Sequence, residues 1–226
     1  MAVVDVDIVF LFDVDNTLLD NDRVQADLRD HLAAQYGDDA RDRYWALFEA
    51  RRAELGYADY LGALERYRAE KLHDPRVLRI ANWLIDYPFA DRLYPDALDV
   101  VGHAARWGQT VILSDGDAVV QPRKIERAGL WQKFHDRVLV YIHKEQELCD
   151  VARWYPARHY VLIDDKLRIL AAVKKIWRNR VTTVFVRQGH YAHDPAEIAA
   201  YPLADMTIKR IGDLAQYDRA AFTSAV

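Results

Sequence analysis

Five short apolar runs punctuate the chain: residues 8–12, 110–113, 137–142, 160–163 and 182–186. They are rich in Val, Ile, Leu and aromatics and show little strict alternation. That is the pattern of strands covered on both faces, as in a parallel sheet. Helical patterns fill the gaps between the last four. Residues 96–107 repeat apolar positions at Leu98, Val101 and Ala105, and Gly108 closes the segment; residues 122–128, 145–155 and 167–177 follow. A weaker strand at 206–208 and a helix at 211–217 complete the series. Alternation of this kind implies right-handed crossovers and a doubly wound parallel α/β sheet.

The gap between the first two strands has a different rhythm. Val24, Leu28, Leu32 and Tyr36 fall at helical spacing before Gly37, and Tyr44, Leu47, Phe48, Arg51 and Leu55 do so before Gly56. Leu61, Leu64 and Leu72 suggest a third helix. Val77, Ile80, Ala81, Leu84 and Ile85 suggest a fourth, opened by Pro75 and stopped near Pro88. About 75 residues is far more than one crossover needs. The expected organisation is therefore an α/β core of residues 1–19 and 95–226, with a helical insert over 20–94. No internal repeat or low-complexity segment interrupts it.

Composition narrows the class. Of 226 residues, 51% are hydrophobic and 29% charged, which suits a globular chain with a sizeable core. Net charge is −4 and no Lys/Arg run stands out, so nucleic acid is not an expected partner. The one cysteine, Cys149, excludes an intrachain disulfide and fits a reducing compartment. In helix EQELCDVARWY it reads as a core or groove filler. The opening MAVVDVDIVFLFD carries Asp5 and Asp7 and no early Lys or Arg, unlike a secretory signal. No 18-residue apolar stretch suggests a membrane span. A cytoplasmic protein is expected.

The chemistry collects at strand ends. The first strand runs into Asp13 and Asp15, the second into Ser114-Asp115-Gly116, the third stops just before Lys144, and the fourth ends in Asp164-Asp165. In open α/β sheets ligands bind beyond the carboxyl ends of the strands. Residues i and i+2 of an extended segment point the same way, so Asp13 and Asp15 are expected to share a site. With Asp164 and Asp165 that makes four carboxylates, which repel one another unless a cation joins them. Mg²⁺ is the expected cofactor, since it takes one or two carboxylates, waters and a substrate phosphate. Lys144 adds a positive charge. Lys124, inside a helical segment, reads as a solvated charge, and Asp115 and Asp117 as turn residues. None of the eight histidines shows metal-ligand spacing.

In this order the motifs resemble those of the haloacid dehalogenase-like (HAD) phosphohydrolases over nearly the whole chain. Asp13-Val14-Asp15-Asn16-Thr17 looks like the first motif, DxDxT; Ser114 looks like the second, Lys144 like the third, and Asp164-Asp165 like the acidic fourth. The insert after the first motif resembles the type C1 cap. The resemblance implies a Mg²⁺-dependent phosphatase acting on a small phosphorylated metabolite. Asp13 would be the nucleophile and Asp15 the general acid/base. The metal would be held by Asp13, the Asp15 carbonyl and the acidic pair, with Asp165 the direct ligand and Asp164 acting from behind it. Ser114 and the amides after it would bind the phosphoryl oxygens, with Thr17, Asp115 and Gly116 completing the substrate-binding set, and Lys144 would offset charge.

The resemblance also implies alternatives. The dehalogenating branch lacks an aspartate at the position of Asp15, which favours phosphate esters over haloacids. A phosphonate hydrolase would need a cap lysine, and Lys71 is the only lysine between the first two motifs. A non-catalytic protein that binds a phosphorylated ligand is the remaining reading. The insert's Trp45, Tyr57, Tyr60, Tyr67, Trp83, Arg51, Arg52, Arg66 and Arg68 read as bundle core and solvated face, with one or two touching substrate. The loops near 21–23 and 188–191 are expected to shape specificity. Substrate identity and oligomeric state are not legible.

Overall fold

The computed structural model describes residues 6–223; the N-terminal stretch read above through Asp5 lies outside them. Six parallel strands run β1 (Val6–Phe12), β2 (Gln109–Asp115), β3 (Val138–Tyr141), β4 (Ala157–Asp164), β5 (Val181–Val186) and β6 (Met206–Ile208). Their order across the sheet is β3-β2-β1-β4-β5-β6. The chain first winds outward from β1 through β2 to β3, then returns to the other side of β1 for β4, β5 and β6. The reversal puts the switch point beside β1, where a ligand crevice is expected.

The sheet's two faces explain the uninterrupted apolar runs. Ile8, Phe10 and Phe12 of β1 face one cluster, with Val161, Ile163, Val184 and Val186. Val9 and Leu11 face the other, with Tyr160, Leu162 and Phe185. Both faces are buried, so the strand interiors are mostly apolar, and the polar residues within them, such as His159 and Thr182, are hydrogen-bonded to each other (2.9 Å). Fully burying such side chains is worth about 1.5–3 kcal/mol each.

Residues 21–86 are built of helices and short turns. They form α1 (Asn21–Tyr36), α2 (Asp38–Leu55), α3 (Tyr60–Glu70) and, after a 3₁₀ turn at Pro75–Val77, α4 (Leu78–Asp86). The Asp20 carboxylate accepts the Arg23 N–H (2.9 Å) and starts α1. Gly56, at φ +81°, ends α2 in the left-handed conformation that glycine adopts without strain. Leu28, Leu32, Tyr44, Phe48, Tyr60, Leu64, Tyr67, Ile80 and Leu84 form a hydrophobic cluster apart from those of the sheet. The two strands of chain joining this bundle to the sheet pair with each other: Leu19 bridges Leu93 antiparallel, and the Tyr94 amide donates to Leu18 O (2.9 Å).

The remaining helices are α5 (Ala97–Ala104), α6 (Val120–Arg127), α7 (Leu130–Lys133), α8 (Leu148–Trp154), α9 (Leu167–Trp177), α10 (Pro195–Ala200) and α11 (Arg219–Thr223). Three expectations change. Leu72 lies past the end of α3 and is 74% exposed, because that helix stops at Glu70. The segment read as one helix from 145 is a 3₁₀ turn, Lys144–Gln146, followed by α8. Cys149 is exposed: Leu148 and Val151 carry the buried face of α8 and Cys149 falls off it. Among the described residues, no helix is long and apolar enough to cross a membrane.

Candidate active site

The motif residues meet at the carboxyl end of the sheet. Asp13 follows β1 directly, and its amide continues the ladder to Ile163 O of β4 (3.0 Å). That places Asp13 beside Asp164, and the side chains of Asp13, Asp164 and Asp165 converge with one oxygen of each within 4.8 Å of the others. All three are buried, Asp13 at 2% and Asp165 at 0% exposure. Lys144 reaches across from the turn after β3. Its Nζ stands 2.6 Å from Asp13 Oδ1 and 2.7 Å from Asp164 Oδ2, and donates to Leu113 O (3.3 Å). Thr17 Oγ1 donates to the other Asp13 oxygen (3.3 Å).

The acidic pair is asymmetric. Asp164 Oδ1 accepts the Lys166 amide (2.8 Å) and Oδ2 faces Lys144. Neither oxygen of Asp165 has a hydrogen-bond partner among the described residues. A buried carboxylate without partners is costly. A hard divalent cation among these three residues removes that cost, and their oxygen donor set suits Mg²⁺.

The charges shift one another. Burial, with Asp13 nearby, pushes Asp164 up to about 6 against the attraction of Lys144. Burial also holds Asp165 well above the usual carboxylate range. Burial alone would lower the Lys144 ammonium, but Asp13, Asp164 and Asp115 outweigh it and keep it firmly protonated. A consequence for stability follows. Between the unfolded value of 3.8 and about 6, the folded state binds more protons at Asp164 than the unfolded chain does. This site's contribution to stability therefore falls as pH rises through that window. Urea unfolding in EDTA should show that loss between about pH 4 and 7. Saturating Mg²⁺ should flatten or reverse it, because the ion binds the ionised carboxylates.

Asp15 does not join this cluster. The chain leaves the extended conformation after Asp13 and turns, with Asn16 at φ +60°, so the expected i, i+2 alignment fails. The Asp15 carboxylate instead accepts from Lys124 Nζ at 2.6 Å. Lys124 is 0% exposed, which corrects its reading as a solvated charge. It also donates to Asn21 Oδ1 (2.9 Å) and lies 6.0 Å from the centre of the Tyr60 ring. A core lysine thus joins Asp15 to two residues of the helical insert. The signal was available in sequence: with Val120, Gln121 and Ile125, Lys124 falls on the inward face of α6.

The loop after β2 also differs in detail. Ser114 is buried, and its Oγ accepts from Gln121 Nε2 (2.9 Å), a residue that sequence reading missed. Asp115 Oδ1 accepts the Lys144 amide (2.7 Å), so it positions the turn that carries that lysine. The Gly116 amide donates to Tyr141 O (2.9 Å) and is committed to the sheet edge rather than facing a ligand. Asp117 caps α6 through the amides of Val119 and Val120.

A cavity of about 50 Å³ adjoins these groups, room for a few waters or a small polar group. Asp15, Asp115, Gly116 and Gln121 line it from below; Asn21, Gln25, Arg52 and Tyr57 close it from the insert. Of the aromatic and basic insert residues, Tyr60 and Tyr67 are core, Arg51 pairs with Asp59, and Arg52 and Tyr57 reach the cavity. Gly56 packs against His143: a Cβ there would sit 2.8 Å from the imidazole Cε1. His190 and Tyr191 complete the wall. Their loop is fixed by Asp22, which accepts the His190 amide (2.8 Å), and by Gln188, whose Nε2 donates to Thr17 O (3.0 Å). Gly189, at φ +69°, lets that loop lie against Asn16, where a Cβ would clash at 2.5 Å. Lys71 is exposed at the end of α3 and is not among the residues lining the cavity.

Residues 9–153 match the model of the haloacid dehalogenase-like hydrolase family. No curated protein matches the sequence. Among solved structures, a haloacid dehalogenase-like hydrolase from Burkholderia xenovorans LB400 is 61% identical, covers 96% of this chain and 98% of its own, and superposes with a TM-score of 0.92. The L-2-haloacid dehalogenase of Xanthobacter autotrophicus shares the fold at 19% identity, with a TM-score of 0.61 over 93% of this chain and 97% of its own. So does the HAD-hydrolase YfnB of Bacillus subtilis bound to magnesium, at 15% identity and TM-score 0.61, covering 94% of this chain and 98% of its own.

Proposed function

The chain belongs to the haloacid dehalogenase-like hydrolase family, and on that premise we propose that it is a Mg²⁺-dependent phosphatase of a small phosphomonoester. The observation that carries this reading is Asp15. A second carboxylate, two residues from Asp13 and lining the cavity, is held by a buried lysine. Expulsion of an alcohol from phosphorus needs a proton donor at that place. Expulsion of a halide does not, since halide leaves as a stable anion.

Asp13 attacks phosphorus; the bond to the leaving oxygen breaks, and Asp15 gives that oxygen its proton. Asp15 then takes a proton from water, whose oxygen attacks phosphorus and frees Asp13 with release of phosphate. Lys144 spreads the charge on Asp13 through both steps. Ser114, held by Gln121, offers its hydroxyl to the phosphoryl oxygens. Asp13, Asp164 and Asp165, with the Asp15 carbonyl, would hold Mg²⁺, which when bound neutralises charge on the transferring group.

Hydrolysis of p-nitrophenyl phosphate with Mg²⁺, and its loss in EDTA, tests the proposal. Chloride release from a 2-haloacid without metal would move the assignment to a dehalogenase, the reading that the fold shared with the Xanthobacter enzyme supports. Ligand binding with no turnover of either class would leave a binding protein.

Lys124 enters as a positioning residue for Asp15. Lys124→Met should lower kcat about 10–100-fold, within the range expected of a misplaced acid/base, with a smaller change in KM. Stability should fall by about 1–3 kcal/mol, because the buried Asn21 Oδ1 loses its lysine donor, while the Asp15 side chain, 18% exposed, keeps water when its partner goes. Steady-state kinetics beside urea unfolding separates the two effects.

A further inference from the structure

The small cavity does not end at Tyr57. A second cavity, about 290 Å³, adjoins it and shares four of its lining residues: Arg52, Gly56, Lys166 and Tyr191. Together they form a passage between the insert's helix α2 and the start of α9. We propose that this passage takes the arm of the substrate, and that the arm carries a second anionic group, a carboxylate or a second phosphate, bound by Arg52 and Lys166. The inference rests on the phosphatase reading of the inner site.

The charges argue for it. Lys166 lies at the junction of the two cavities, directly after the acidic pair. It makes no ion pair among the described residues, and its ammonium lies 5.3 Å from the centre of the Tyr191 ring. The carboxylates that act on it from a distance are Asp165, Asp13, Asp164 and Asp115. A divalent cation held by Asp13, Asp164 and Asp165 would weaken the pull of those carboxylates on Lys166 and leave its ammonium more available to a ligand. A cation in a narrow cleft, partly shielded from water, attracts an anion more strongly than one on an open surface.

Arg52 supplies the second contact. Among the described residues its guanidinium pairs with Glu49 alone, one turn back on α2, at 2.8 Å, with both side chains about one-third exposed. Such a pair is worth about 0–1 kcal/mol and is readily exchanged for a ligand anion. Arg168 also lines the outer cavity but is committed to Glu145 at 2.9 Å. Glu197 lines it too and opposes an anionic arm, against the positive charges of Arg52 and Lys166. The planar fork of Arg52 suits a carboxylate or phosphate.

The test is calorimetric binding to the full chain loaded with Mg²⁺, using three phosphonates that share a three-carbon chain and cannot be hydrolysed. 3-Phosphonopropanoate and propane-1,3-diphosphonate carry a second anion; propylphosphonate does not. At least one of the first two should bind about tenfold tighter than propylphosphonate, and whichever binds better identifies the second group. In Arg52→Gln and in Lys166→Met that preference should shrink to about threefold or less. Equal binding of all three overturns the proposal, as does a preference that survives both substitutions. If propylphosphonate and both dianions fail to bind, the phosphatase reading falls with it; if propylphosphonate binds as well as the others, only the second-anion site falls.

Discussion

Asp13→Asn should leave a folded protein whose turnover of phosphomonoesters is lower by about 10⁴-fold or more. The substitution preserves shape at a site that is only 2% exposed, and it replaces a carboxylate with an amide that does not attack phosphorus. Lys144 loses one partner at 2.6 Å but keeps Asp164 at 2.7 Å, so its charge stays compensated. The Asp13 backbone bond to Ile163 is untouched. Unfolding curves should therefore resemble those of the wild type while kcat collapses. Near-normal activity in this variant would remove Asp13 from the role of nucleophile.

Lys144→Met should act on stability and activity together. Its ammonium is the charge that compensates Asp13 and Asp164 in a buried site. Removing one partner of a buried ion pair costs about 3–5 kcal/mol, and here more than one carboxylate is left exposed to its neighbours' repulsion. The loss should be largest in EDTA near neutral pH. It should shrink as pH falls towards the value of about 6 at which Asp164 takes a proton, because a protonated carboxyl no longer needs the lysine. Mg²⁺ should recover part of the stability. Turnover should stay lower by about 10²–10³-fold even with Mg²⁺, since the charge on the nucleophile and the transferring group is no longer spread. Urea unfolding at two pH values, with and without the metal, checks the stability, and steady-state kinetics the turnover.

Much of the fold was legible because both faces of the sheet are covered. Unbroken apolar runs, each ending at a polar residue, mark β1, β2, β4 and β5 and place Asp13, Ser114 and Asp164 at the same edge. The helical periods before Gly37 and Gly56 likewise mark where α1 and α2 stop. What escaped reading depends on direction rather than residue type. A lysine in a helix reads as solvated until its face is known, and Lys124 shares the inward face of α6 with Ile125. Asp15 lies two residues from Asp13, but the turn at Asn16 sends its carboxylate to Lys124 instead of to the acidic cluster. Gly116 sits where a phosphate-binding amide was expected, yet its N–H is spent on Tyr141. The residues that approach one another across the cavity, Arg52, Tyr57, Lys166 and Tyr191, come from segments that no periodicity connects.

The central claim is that Asp13 is phosphorylated and that water then attacks phosphorus. Turnover of a phosphomonoester with Mg²⁺ in water enriched in heavy oxygen tests it most directly, with mass spectrometry of both the released phosphate and the peptide that contains Asp13. The mechanism predicts one heavy oxygen in each phosphate and none in Asp13, because attack at phosphorus returns both carboxylate oxygens unchanged. Parallel turnover of a 2-haloacid should give no product. Haloacid turnover with heavy oxygen accumulating in Asp13 would contradict the account, since that label enters only when water attacks the carbonyl carbon of an alkyl ester.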